Sequence, residues 1–120
     1  MISLELDYPV SANRYWRVFR GRMVRSKEAN AYRQHVTQAT MDWDDPLTEA
    51  AVKVNLILHP KMRKDGLASE TVIDLDNCIK VGLDALQGIV YFNDKQIKRL
   101  VAAYGEPKAN GGLTVRVEEI

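Results

Sequence analysis

Three carboxylates and one lysine carry the chemistry this chain could do. Asp74 and Asp76 stand one residue apart in VIDLDNCIKVGLDALQ (Val72 to Gln87), Lys80 follows one helical turn after Asp76, and Asp94 returns after the segment IVYFN. Two like charges so close repel each other unless a positive centre sits between them. Hard oxygen ligands with no His or Cys beside them suit Mg²⁺, with Mn²⁺ as a substitute. At about 100° per residue, Asp76, Asn77, Lys80, Asp84 and Gln87 share one face of a helix, and Ile79, Gly82, Leu83 and Leu86 lie behind them. Asp74 precedes that helix on an extended segment, where residues two apart point the same way, so the two carboxylates can converge. Apolar Ile73 and Leu75 imply partial burial for Asp74, and IVYFN is expected to run back toward the helix start with Asp94.

The plainer reading of the same residues is a solvated helix face, with Asp76 capping the N-terminus and Lys80 pairing locally. A calcium EF-hand fails: counting from Asp74, positions five and six hold Cys78 and Ile79, where that loop needs Asp or Asn and then Gly. His35 and His59 read as structural and Cys78 as a small buried residue. Neither a Ser-His-Asp arrangement nor a glycine-rich phosphate loop is present.

A net charge of +1 hides a sorted distribution. Arg14, Arg17, Arg20, Arg22, Arg25 and Lys27 form a basic run with no acid among them, interleaved with Tyr15, Trp16 and Phe19. A second run, Lys61, Arg63 and Lys64, falls in a loop, and Lys95, Lys98 and Arg99 follow Asp94. Acidic Asp42, Asp44, Asp45 and Glu49 gather at one turn. Basic patches of this kind meet phosphate, although a solvated hairpin also accounts for the first.

The elements that must position these groups follow from periodicity. Ile2, Leu4 and Leu6 alternate with polar residues as a strand, and YPVSAN breaks it. A short hairpin turns at Arg20-Gly21. Ser26 caps a helix reaching about Trp43, with Ala29, Tyr32, Val36, Ala39 and Trp43 as its apolar stripe. Val52, Val54, Leu56 and Leu58 form the core face of the next strand, and a long polar loop from Lys61 to Thr71 leads to a helix from about Asp76 to Gln87. Two strands near Lys98–Tyr104 and Leu113–Glu118 close the chain. The sum is an α/β fold: one domain over residues 1–120, a single mixed β-sheet and two main helices. With 120 residues, one cysteine, no apolar run of membrane length and no signal-peptide pattern at the start, a cytoplasmic protein with no membrane partner is expected.

Nearly the whole chain resembles the RusA-type Holliday junction resolvases. The matching pieces are SANRYWR with RGRMVRSKEANAYRQHV, then DLDNCIKVGLDAL, then FND and the last strand pair. The resemblance implies a homodimeric, Mg²⁺-dependent endonuclease that resolves four-way junction DNA by paired symmetrical nicks. Asp74, Asp76 and Asp94 would be its metal-binding carboxylates and Lys80 its catalytic lysine. Asn93 stands where members often carry a second acid. Two alternatives share these residues: a DNA-binding dimer without catalysis, and a metal-dependent nuclease preferring forks or flaps. A D-x-D transferase is disfavoured, since it needs a larger nucleotide-binding domain.

Overall fold

A computed structural model describes residues 2–41 and 47–120. The chain runs β1 (Ile2–Leu6), α1 (Ala12–Tyr15), β2 (Trp16–Phe19), β3 (Arg22–Arg25), α2 (Lys27–Ala39), β4 (Val52–His59), α3 (Leu75–Leu86), a 3₁₀ turn (Asp94–Gln96), β5 (Ile97–Tyr104) and β6 (Gly112–Glu119). β1, β6, β4 and β5 form a mixed four-stranded sheet in that order. β6 is antiparallel to both neighbours, setting Leu4 against Val115 and Leu56 against Val115 from the other side. β5 is parallel to β4, with Leu58 beside Tyr104. A parallel neighbour needs a crossover connection, and α3 is that crossover.

Alternation decides which way β4 faces. Val52, Val54, Leu56 and Leu58 are buried under the helices, while Lys53, Asn55 and Ile57 line the half-open opposite face. α2 contributes Tyr32 and Val36 to this core, and α3 contributes Cys78, Ala85 and Leu86. As expected, the Ser26 hydroxyl caps α2 by accepting from the Ala29 N–H at 3.1 Å. α2 stops at Ala39, short of the expected Trp43, because Thr40 leaves the helical conformation and its hydroxyl turns back onto the Val36 and Thr37 carbonyls. The expected turn at Asp42, Trp43, Asp44 and Asp45 lies outside the described residues.

The mixed sheet and two main helices are as expected, but the sheet is not single. β2 and β3 pair with each other alone, Trp16 against Arg25 and Phe19 against Arg22. Arg20 and Gly21 both take positive φ, 52° and 75°, which suits a two-residue turn to the twist of its strands. YPVSAN, expected as a plain break, leads into α1, whose Tyr15 is fully buried. Among the described residues no helix is long and apolar enough to cross a membrane.

Candidate active site

Asp74 is the N-cap of α3, so the helix starts one residue before the expected Asp76. Its carboxylate accepts from the Asn77 N–H at 2.9 Å. Capping turns the side chain outward, and Asp74 is exposed rather than partly buried: Ile73 and Leu75 pack against the core while Asp74 faces water. Asp76 sits in the first turn with Lys80 Nζ at 3.4 Å from its Oδ2, both side chains well exposed. That is the local pair of the plainer reading, and at such exposure it holds Lys80 only weakly. The lead-in to α3 is tied from two sides: Tyr8 Oη accepts from the Ile73 N–H at 2.9 Å, and the Tyr104 hydroxyl donates to the Ile73 carbonyl at 3.0 Å. Asn77 Oδ1 accepts from the Ala12 N–H at 2.7 Å, clasping α1 to α3.

Asp94 lies elsewhere. After α3 the Gly88 N–H bonds to the Tyr91 carbonyl and the Tyr91 hydroxyl donates to the Leu83 carbonyl, so IVYFN folds under the C-terminal end of the helix. Asn93 caps the following 3₁₀ turn, and Gln96 returns the bond to the Asn93 N–H, both at 2.8 Å. Gln96 Nε2 also donates to the Thr48 and Ala50 carbonyls just before β4. Asp94 is therefore at the start of β5, whereas Asp74 is beside its end at Tyr104. Seven strand steps at about 3.3 Å separate those ends by roughly 23 Å. The expected convergence of Asp94 on the pair does not occur within one chain. A parallel β4–β5 pair requires the connector to stay at the starting end of β4, and it cannot also double back. Among the described residues no three of His, Cys, Asp and Glu gather closely enough to hold a metal ion. One chain thus offers a hard divalent cation two exposed carboxylates, an incomplete oxygen set.

The basic runs are distributed by the fold. Arg14 and Lys61 line an open groove of about 690 Å³ with Asp7, Tyr8, Ser11, Thr71 and Ile73, the last of which precedes Asp74 in the chain. Lys61 Nζ stands 5.2 Å from the centre of the Tyr8 ring. Arg14 also lies 3.9 Å from Glu28. On the hairpin, the guanidinium groups of Arg17 and Arg20 stand 5.4 and 5.2 Å from the Phe19 ring. Arg22, Lys27 and Lys64 are exposed. Arg63 pairs with Asp65 in the loop, which folds as a narrow turn with Met62 bridged to Ala68.

Arg25 is different. Its Nε and Nη2 grip Asp84 Oδ2 and Oδ1 at 2.8 and 3.0 Å, and the Tyr15 hydroxyl donates to Oδ2. Burial alone would raise the Asp84 carboxyl, but Arg25, Tyr15 and Arg33 together hold it below the ordinary carboxylate value. Burial and then the bond to Asp84 push the Tyr15 phenol well above its usual range. The fork of Arg25 is thus already filled. Arg33, which the sequence did not single out, donates to the Asp84 and Gln87 carbonyls and closes the C-terminal end of α3. An arginine on the polar side of α2 carries no linear sign of that partner. His59 is structural as expected: its ring nitrogens engage the Glu106 carbonyl at 2.8 Å and Thr114 Oγ1 at 2.7 Å.

Residues 7–118 match the family model described as endodeoxyribonuclease RusA. The chain belongs to the RusA endodeoxyribonuclease family. Curated RusA relatives agree. It is 30% identical over 120 residues to the crossover junction endodeoxyribonuclease RusA of Escherichia coli O139:H28 (strain E24377A / ETEC), covering 98% of this chain and 94% of that one. It is 35% identical over 85 residues to the protein of the same name from Shigella sonnei (strain Ss046), covering 70% and 65%. RusA membership makes the chain a deoxyribonuclease that cuts within a strand.

Proposed function

We propose that the protein is a homodimeric, Mg²⁺-dependent nuclease that resolves four-way DNA junctions by paired symmetrical nicks. The names of both relatives support the junction substrate. The observation that carries the reading is the groove: two cations, Arg14 and Lys61, line a channel whose wall runs through Thr71, Val72 and Ile73, the residues leading directly into Asp74. A phosphodiester backbone drawn along those cations arrives beside the carboxylates.

Each residue then has a task. Asp74 and Asp76 would be the hard oxygen donors for Mg²⁺ or Mn²⁺, and Asp94, at the other end of β5, would not reach the same ion within one chain. The ion, when bound, polarises the phosphoryl group and lowers the pKa of water. Lys80, weakly held by Asp76, presents its ammonium on the same helix face and stabilises charge developing on the phosphate. Tyr8 and Asn77 fix the groove wall and α1 to the start of α3, so that cations and acids keep one geometry. Arg17, Arg20 and Arg22 on the projecting hairpin, with Lys27, Arg63 and Lys64, hold the arms of the junction.

The test is Asp76→Asn on synthetic four-way junction, fork and linear duplex with and without Mg²⁺. Cleavage is lost while junction binding stays within a few-fold, because acid and cations have separate jobs. Parallel loss of binding in a folded variant assigns Asp76 to structure instead. A wild type that cuts forks in preference to four-way junctions overturns the junction assignment.

A further inference from the structure

We infer that His59 works as a proton-operated latch. Doubly protonated, its ring keeps the Thr114 hydroxyl turned toward Glu5; loss of one proton turns that hydroxyl back onto the ring and releases Glu5.

Counting donors and acceptors leads there. His59 is buried at the end of β4, just before Pro60. Its Nδ1 lies 2.8 Å from the Glu106 carbonyl oxygen and its Nε2 2.7 Å from Thr114 Oγ1. A carbonyl oxygen only accepts, so Nδ1 carries a proton. Thr114 Oγ1 in turn lies 2.7 Å from Glu5 Oε2, which Lys108 Nζ also reaches at 3.1 Å. Burial alone would raise the Glu5 carboxyl, but Thr114, Lys108 and His59 hold it below its ordinary value. Glu5 is therefore a carboxylate and only accepts. Thr114 has one hydroxyl proton, and Glu5 takes it. The threonine oxygen then accepts from the ring, so Nε2 carries a proton as well. Both nitrogens donate, and the ring is an imidazolium. The second histidine of the chain is in a different state. His35 Nε2 accepts from the Asp7 N–H at 3.0 Å, so that nitrogen is bare.

Imidazole is the side chain whose charge changes near neutrality, and here the change has one easy route. Removing the Nδ1 proton would set a lone pair against the Glu106 carbonyl in a buried place. The ring has little room to turn away, since Gly105 packs so closely that a β-carbon there would stand 2.9 Å from Cε1. Nε2 instead gives its proton to water and accepts the Thr114 hydroxyl, which needs rotation about one bond only. Glu5 then keeps Lys108 alone and loses the positive ring behind Thr114. The charged groups joined to the ring are Glu5 from β1 and Lys108 from the β5–β6 connection. Glu106 meets it through its backbone, and Thr114 of β6 and Ile57 of β4 are neutral. Lys61, two residues beyond His59, faces Tyr8. The latch ties β1 to the root of the loop that lines the groove. The Lys108 N–H donates to the Pro60 carbonyl at 3.0 Å, and its carbonyl accepts from the Met62 and Gly111 N–H groups, both at 2.9 Å.

Nitrogen NMR of the full chain, labelled at its histidines, reads the latch directly. At pH 7 His59 shows both ring nitrogens protonated and His35 only one, with a His35→Gln sample making the assignment. Glu5→Ala changes a side chain that is 60% exposed and never touches the ring. In that variant nothing draws the Thr114 hydroxyl away, and His59 shows a bare Nε2 at the same pH. A wild-type His59 with a single proton, or a ring that Glu5→Ala leaves unchanged, overturns the proposal. Stability gives a second readout. The charged ring strengthens the attachment of Glu5 only while it keeps its proton, so that share is present at lower pH and lost as the pH rises. Urea unfolding of wild type and Glu5→Ala therefore differs by about ten-fold in the unfolding constant at pH 6, the size expected for hydrogen bonds to a charged group. The difference narrows by pH 9, and His35, present in both proteins, cancels. A difference that stays constant or widens overturns the latch.

Discussion

Asp84→Asn removes one charge and little else: the amide keeps the shape and an acceptor for Tyr15 or Arg25. The Asp84 side chain is 20% exposed and that of Arg25 38%, so the pair is neither buried nor free. Breaking a buried pair costs about 3–5 kcal/mol. Exposed pairs are worth about 0.2–1 kcal/mol. Partial exposure of Arg25 places this loss near 2 kcal/mol at neutral pH, about 8 °C in Tm for a domain of this size. The loss has a pH signature. The folded carboxyl titrates below its ordinary value of 3.8, so its charge contributes fully above that value, and the contribution disappears as pH falls through the folded one. Urea unfolding followed by circular dichroism at pH 7, 5 and 3 therefore shows a gap between wild type and variant that is full at the first two and narrows at the third. An equal gap at pH 3, or none at pH 7, refutes the reasoning. Because Asp84 anchors β3 to α3, the variant also binds junction DNA more weakly at neutral pH.

Replacing Arg17, Arg20 and Arg22 with alanine lowers the slope of log affinity against log salt by about 0.9 for each phosphate that is no longer neutralised. An unchanged slope shows that the hairpin faces away from DNA. Lys80→Ala leaves junction binding intact and slows single-turnover cutting by about 10²-fold or more. Cys78 is fully buried, and burial lifts its thiol to about 11, so a thiol reagent at pH 8 labels it only in urea. Prompt labelling of the native protein contradicts this packing.

Local patterns were legible in the sequence wherever one residue settles one conformation. Ser26 announced the start of α2, Arg20-Gly21 the hairpin turn, and the Val52–Leu58 alternation the core strand. The start of α3 was misread by one residue because both aspartates of D-x-D can cap, and only the fold shows that Asp74 does. Long-range facts were the harder part. Nothing in IVYFN says that β5 will lie parallel to β4, yet that choice sends Asp94 to the far end of the sheet. Arg25 looks in sequence like one more phosphate ligand, and only the meeting of β3 with α3 fills its fork with Asp84. Arg33 acts across helices, where periodicity is blind. The site was readable as residue types, and its assembly was not.

The sheet order has a consequence for biosynthesis. β6 lies between β1 and β4, so the strand that joins the two halves is made after every other element of the domain. β1 leaves the ribosome first and waits for Leu113 to Val117 before it has a partner. Until then α3, with its acids, packs on β4, β5, α1 and α2 with no β6 to join β4 to β1. A chain stalled or clipped before residue 112 cannot close the sheet, and domains fold as units once their last element is available. A copy without β6 therefore leaves the acids of α3 on an unfinished sheet, and the geometry of the candidate site depends on the last strand of the domain.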